Sequence, residues 1–338
     1  MNPTSQAKHR HRYFATVAAA AIVVIGGLTT LLAATDAVGQ DYPTKTIRFL
    51  VGFAPGGSAD IISRFTAQRL GERMGQTIVV EQRLGATGII AQDAVAKSPP
   101  DGYTMVLLTG GHPTSAAMKK KLPYHPVNDF GMVSTIIEYP MAIGVKPDSP
   151  IKSFPDLLAR ARAEPGKLSM SSAGVGSLHH LLGEWIKIES GTEMIHVPFT
   201  GAGPAYTELL GGRIDVMIET MTFMSTNFKN GQIRPLAVSS PLRVKDFPSV
   251  PTISDTLKGV DPTSWLGLAV SPGTPPAVIS RLNRELRAVL AEPATAERFA
   301  QLGGSPAPSS PEEMRARVQT EIDRWTRVVT LRNMERQD

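Results

Sequence analysis

The residues best suited to chemistry are Phe53-Ala54-Pro55-Gly56-Gly57-Ser58-Ala59-Asp60, which join a β-type run to a helix through paired glycines. The run before them, Thr46 to Val51, is β-branched and apolar, and Ile61, Ile62, Phe65, Leu70 and Met74 behind them recur at helical spacing. Gly56 and Gly57 can take backbone angles closed to other residues and let a ligand approach the main chain directly. A helix starting there carries unsatisfied N–H groups and partial positive charge at its first turn. The implied chemistry is capture of a carboxylate or phosphate, although a plain connecting turn would use the same residues. With Gly57 as N-cap, Asp60 falls at N3, where its carboxylate can fold back on the cap N–H, so we read it as structural.

Met170-Ser171-Ser172-Ala173-Gly174-Val175-Gly176-Ser177 repeats the arrangement of strand end, glycine-spaced turn and helix start, with Ser177 as N-cap, ligand donor or both. It is superficially like a dinucleotide fingerprint, but His179 stands at the third glycine position and no acid is placed to hold a ribose. Three further strand ends carry glycines or hydroxyls: Thr109-Gly110-Gly111-His112, Pro198-Phe199-Thr200-Gly201-Ala202-Gly203 and Glu219-Thr220-Met221. A single such loop is ambiguous; several at strand carboxyl ends, where an α/β sheet binds its ligands, point to one cleft. His112, on a strand-tip loop, is the histidine expected to meet a ligand. His180 and Glu184 lie four apart and could offer two metal ligands, but no third ligand has the required spacing, so His180 and the in-strand His196 are read as hydrogen-bonding residues.

No catalytic residue, metal or cofactor is expected. Gly-x-Ser-x-Gly is absent, as are cysteine and a P-loop ending in Lys-Ser/Thr. A Ser-His-Asp set assembled from distant loops is the enzymatic route left open.

The elements that must position these loops alternate. Strands at Thr46 to Val51, Thr77 to Glu81 and Tyr103 to Leu108 are separated by helical segments, the second from Ala86 to Lys97. The rhythm resumes from Leu168 through Val238. Extended segments Val133 to Val145 and Trp265 to Val270 are expected to cross between two domains and act as a hinge. Late helices begin at Thr274-Pro275-Pro276 and at the capping box Ser310-Pro311-Glu312-Glu313, and are expected to pack on the first domain. The expected organisation is residues 1–39 as a signal peptide, 40–138 with 267–338 as domain I, and 139–266 as domain II.

Lys8, Arg10 and Arg12 precede an uncharged run to Thr35, and Ala37-Val38-Gly39 supplies a small-x-small cleavage site. The apolar run is long for a signal peptide, so an uncleaved anchor competes with cleavage. The first 39 residues hold three of the 35 basic and one of the 30 acidic residues, which leaves a mature chain of 32 against 29. That mild bias, without a basic stripe, speaks against nucleic acid as a partner. Without cysteine there is neither a lipid-modified cysteine nor a disulfide framework. A soluble periplasmic protein is expected.

In sequence order, Tyr42-Pro43-Thr44-Lys45-Thr46-Ile47-Arg48, the 53–60 loop, Pro100-Asp101-Gly102-Tyr103-Thr104, Lys121-Leu122-Pro123-Tyr124 and His196-Val197-Pro198-Phe199 follow one another. Leu209-Leu210-Gly211-Gly212-Arg213-Ile214-Asp215, Val250-Pro251-Thr252 and Ser271-Pro272-Gly273-Thr274-Pro275-Pro276 complete the series. In this order they resemble the Bug-type extracytoplasmic solute receptors of tripartite tricarboxylate transporters, over nearly the whole mature region. The resemblance implies an α/β, type II-like periplasmic binding protein with two doubly wound, mostly parallel sheets joined by crossing strands. It implies a monomer that closes on a small organic carboxylate and hands it to a membrane permease; a carboxylate sensor for signalling is the alternative, and a periplasmic hydrolase a more distant one. Carried over by position, the ligand sits between Phe53, Ala54, Gly56, Gly57, Ser58 and Asp60 on one side and Ala173, Gly174, Gly176 and Ser177 on the other. Thr109 and Gly110, with Pro198, Phe199 and Thr200, surround the rest. Ala173 stands where serine is expected, Thr200 where lysine is common, Phe199 where tyrosine is common, and Glu219-Thr220 where Asp-Asn is common. That side of the cleft is therefore less polar, and the far end of the ligand is expected to be less charged than a tricarboxylate.

Overall fold

The computed structural model describes residues 42–338; the expected signal peptide and its cleavage site lie outside the described residues. Strand β1 (Ile47–Val51) pairs in parallel with β2 (Ile78–Gln82) on one side and β3 (Thr104–Thr109) on the other. Strand β9 (Thr263–Val270) then runs antiparallel to β3, and β4 (Gly131–Val145) antiparallel to β9, with the short β10 (Ser305–Pro306) beyond it.

The strands alternate faces. Phe49, Val51, Met105, Leu107, Leu268 and Val270 are buried under helix α1 (Ser58–Met74) and α8 (Pro276–Leu290). Leu50, Val106, Leu108, Trp265 and Ala269 are buried on the other face, under α2 (Ile89–Ala96) and the first half of α10 (Pro311–Leu331). Period-two alternation of this kind gives a sheet two apolar faces, and both must be covered.

The 15-residue β4 continues past Pro140 into a second sheet region. Met141 to Val145 pairs antiparallel with β7 (Met217–Thr220) and β8 (Arg234–Val238). Strand β5 (Ser169–Ser172) pairs in parallel with β6 (Ile195–Pro198), and Ser171 N–H donates to Val216 O at 2.9 Å, tying β5 to the start of β7. Helices α4 (Phe154–Ala163) and α5 (Leu178–Ser190) cover one face; α6 (Ala202–Leu210) and α7 (Met221–Lys229) cover the other. The α/β class holds, and the sheet is mixed because the strands linking its two regions enter antiparallel. Among the described residues β4 alone pairs in both regions: β9, also expected to cross, pairs with β3 and with β4 as far as Pro140.

The last helix departs from expectation as well. Its stripe reaches from Met314 and Val318, in the first region's core, to Trp325, Val328 and Val329, in the second's. A 21-residue helix is roughly 30 Å long, more than one sheet face can cover. The helix expected from Ala86 to Lys97 is split: Thr87 has φ 54° and Gly88 φ 96°, so a short 3₁₀ turn precedes α2. Helix α3 (Gly111–Met118), where the sequence suggested only a loop, packs on α10; α9 (Pro293–Gln301) closes the fold. Among the described residues no helix is long and apolar enough to cross a membrane.

Candidate functional site

The first glycine loop is fastened from behind. Asp60 is buried, and its Oδ2 accepts from Gly56 N–H at 3.0 Å while Oδ1 accepts from Arg64 Nε at 2.8 Å and Gln82 Nε2 at 2.6 Å. Burial works against its ionisation, but the Arg64 contact, the Gly56 N–H and Gln82 outweigh it and hold the carboxyl below the usual range. The fold-back expected at the cap N–H thus lands one residue earlier, on Gly56, whose φ of +83° turns that N–H inward. Gly57, at φ −80° and ψ 168°, is the N-cap of α1, and among the described residues its N–H and that of Ser58 have no acceptor. Nothing lies nearer than 3.7 Å to the place a Gly57 side chain would occupy. Phe53 packs beside Gly88, so the 3₁₀ turn flanks this loop.

The second loop is knotted on itself. Ser172 Oγ accepts from Gly174 N–H at 3.1 Å, Gly174 O accepts from Ser177 N–H at 3.2 Å, and His180 Nδ1 accepts from Gly176 N–H at 3.1 Å. Ser177 Oγ caps α5 by accepting from His180 N–H and itself donates to Gly174 O at 2.7 Å, so its hydroxyl serves the helix. Ala173 and Val175 are the positions of this loop whose N–H groups have no acceptor among the described residues.

Beneath that loop lies a stack of neutral rings. His180 lies flat on His196, centroids 3.6 Å apart, and Ser172 Oγ meets His196 Nε2 at 2.6 Å. Desolvation, then the neighbouring His196 and Lys187, push His180 down to about 3; desolvation first also lowers His196. Neutrality is what lets His180 Nδ1 accept a hydrogen bond. Glu184 is used elsewhere: it accepts from buried Lys187 at 2.6 Å and from Arg332 at 2.7 Å. Among the described residues no three metal-capable side chains gather.

The Gly110 tip of the first region reaches the second. A side chain at Gly110 would be bounded by Leu178 at 3.6 Å and Ser264 at 3.8 Å, and one at Gly176 by Met118 at 3.1 Å. Helix α3 therefore stands between the first region and the second glycine loop. Gly110 N–H donates to Trp265 O, Thr109 Oγ1 accepts from Gly111 N–H, and Phe199 N–H donates to Ser172 O, so these tips are braced by their own backbones. Pro198 and Thr200 are exposed. Glu219, at the end of β7, accepts from Thr220 N–H at 2.7 Å and from His179 Nε2 at 3.0 Å.

His112 requires correction. It lies inside α3, 1% exposed, with Nε2 donating to Pro126 O at 2.7 Å and Nδ1 against the Gln92 amide at 2.8 Å. Desolvation pushes it down to about 4. Its ring belongs to a core cluster with Tyr124 and Phe130 rather than to the cleft. The residues that sequence reasoning missed are the supports: Arg64 and Gln82 behind the first loop, Met118 under the second, and His179 on Glu219. The spacing of four between Asp60 and Arg64 was a readable ion-pair signal; the others come from remote segments.

Residues 62–334 match the model of the tripartite tricarboxylate transporter family receptor. Protein BugT of Bordetella pertussis is 34% identical over 85% of this chain and 89% of its own. An R. palustris protein solved with adipate is 33% identical, with TM-score 0.75 over 86% of this chain and 98% of its own. MatC from Rhodopseudomonas palustris, with bound malate, is 28% identical, with TM-score 0.72 over 85% of this chain and 100% of its own. Family and fold are those of solute-binding receptors, not of enzymes. A chain with open amides at the start of α1, matched along most of its length in this way, belongs to the tripartite tricarboxylate transporter family of receptors.

Proposed function

We propose that this protein is a periplasmic solute receptor that binds a small organic carboxylate between its two sheet regions and delivers it to a tripartite tricarboxylate transporter permease. Residues 40–138 with 267–338 and residues 139–266 act as two closing lobes, exported behind a cleaved signal peptide and working as a monomer. One observation carries the reading: Gly57 and Ser58 offer unpaired N–H groups at the start of α1, in a loop already anchored by Asp60. The adipate and malate held by similar proteins support a carboxylate as the anion.

Charge-assisted hydrogen bonds contribute about 1.5–3 kcal/mol each. Two or three, together with lobe closure, account for micromolar affinity, which corresponds to about 8 kcal/mol. The ligand runs from this seat past Thr109 and Gly110 towards Ala173, Phe199 and Thr200, whose uncharged side chains suit a far end less charged than a tricarboxylate. The test is a thermal-shift screen of ligand-stripped mature protein against mono-, di- and tricarboxylates, followed by calorimetry of the hits. Ligand at about 100 times Kd adds roughly 2.7 kcal/mol to stability, a readable shift. Carboxylates that leave the transition unmoved at millimolar concentration would defeat the reading, and citrate binding more tightly than aromatic monocarboxylates would defeat the far-end assignment.

A further inference from the structure

We infer that the hydroxyls of Thr87 and Ser115 form a further ligand-binding group, which takes an oxygen function of the ligand, a hydroxyl, carbonyl or carboxylate, beyond the carboxylate seated at Gly57 and Ser58. The inference rests on the carboxylate reading above and names the substrate class within it: acids with a second oxygen function. Thr87 stands at φ 54° and ψ 31°, in the 3₁₀ turn before α2. Left-handed backbone is unfavourable for residues with a side chain, and most of all for a β-branched one. Residues held in such conformations cluster at functional sites.

Contacts tie this turn to both glycine loops. A Cβ at Gly52 would lie 2.3 Å from Gly88 Cα, and one at Gly88 would lie 3.5 Å from the Phe53 ring, so the residue after Thr87 touches both residues that open the first loop. Thr87 Oγ1 itself lies 3.4 Å from Ser115 Oγ, on α3. Three residues further along that helix, Met118 bounds the second loop at Gly176. Residues three apart share a helix face, so one face of α3 meets the turn through Ser115 and the second loop through Met118. The hydroxyls are within reach of a ligand, since Thr87 is exposed and Ser115 half-buried.

Their chemistry complements that of the amides. Backbone N–H groups only donate and so suit an anion, whereas a hydroxyl carries one donor and two acceptor positions and suits charged and uncharged oxygen alike. A good O–H···O bond measures about 2.7–2.8 Å. The 3.4 Å contact is long by that measure, and an oxygen seated between the two hydroxyls can bond to both.

The experiment is calorimetry on the mature protein with succinate, malate and adipate, and with butanoate and hexanoate, which lack the second oxygen function. The wild type should prefer succinate to butanoate and adipate to hexanoate. Thr87→Val keeps the branched shape without the hydroxyl, and Ser115→Ala removes the other hydroxyl. Each should weaken the oxygen-rich acids about five- to tenfold and leave the plain acids within about twofold. Thr87→Ser keeps the hydroxyl without the branch and should bind within about twofold of the wild type. Thr87→Gly should bind as weakly as Thr87→Val while its urea midpoint holds or rises, because glycine takes this backbone without strain. A turn that merely shapes the first loop would reverse the pattern, with Thr87→Val binding as the wild type and Thr87→Ser weakened, and that result would overturn the inference. A wild type that prefers the plain acids would overturn it as well. Should Thr87→Val fail to fold, Ser115→Ala decides. Carboxylate binding that every variant retains sinks only this inference, whereas no binding of any of these acids to the wild type sinks the carboxylate reading and this inference with it.

Discussion

The two glycine loops look alike as strings of residues and differ in what they have left to give. At Gly56-Gly57-Ser58 an ionised carboxylate behind the loop takes the rear N–H and frees the front ones. At Gly174-Val175-Gly176-Ser177 three of the four N–H groups go to Ser172, a neutral histidine and Gly174, and only that of Val175 stays open among the described residues. The first leaves adjoining N–H groups open at a helix start; the second is largely tied to itself and set against α3. A glycine-rich turn therefore has no fixed function, and what stands behind it decides which donors remain for a ligand.

The strongest way to break that contrast is to remove the carboxylate. Asp60→Ala strands the Gly56 N–H and the Gln82 amide and should cost roughly 3 kcal/mol in urea denaturation, with carboxylate binding lost alongside. A loss below about 1 kcal/mol would mean that the loop holds itself.

The second loop should answer to pH instead. His180 has an unfolded value near 6.5 and a folded value of about 3, so the unfolded chain binds more protons between them. Its contribution is whole above pH 6.5 and drains as the pH falls towards 3. From pH 7 to pH 5 that amounts to about 2 kcal/mol, and His180→Asn should remove this share of the acid sensitivity. Asp60 has a depressed folded value, so its contribution survives until the pH passes below its ordinary 3.8. Mild acid should thus loosen the second loop before the first, which hydrogen exchange at pH 5 would resolve.

Alanine at single glycines separates stability from binding. Gly176→Ala meets φ +77° and the Met118 side chain and should cost about 1–2 kcal/mol of stability. Gly57→Ala sits in extended backbone with open space, so stability should change by no more than about 0.5 kcal/mol while affinity falls about tenfold or more. Equal behaviour of the two variants would erase the distinction. The smallest effect belongs to Arg64→Ala: the guanidinium side chain is 53% exposed, and its loss should cost less than about 1 kcal/mol, since Gln82 and Gly56 still hold Asp60.

Local patterns were legible because local physics writes them. The capping box at Ser310 forms both its bonds, since cap and partner are three residues apart. The run from Val133 to Val145 was readable as an extended segment crossing between two regions because it is apolar without a helical period, and the strand found begins two residues earlier, at Gly131. Helix α3 was hidden by its Gly-Gly start, and with it the burial of His112, whose ring is enclosed by Gln92, Pro126 and Phe130. The strand expected from Trp265 was found, but not its pairing, because register depends on partners elsewhere in the chain.

By itself the sequence determined the alternation of strands and helices, the glycine turns at strand ends and the poverty of catalytic side chains, all of which are properties of neighbouring residues. Tertiary structure alone decided which of those turns keeps its N–H groups open, because Gln82, Met118 and His196 arrive from other segments, and a hydrogen bond or a steric contact is settled by distance in space rather than along the chain.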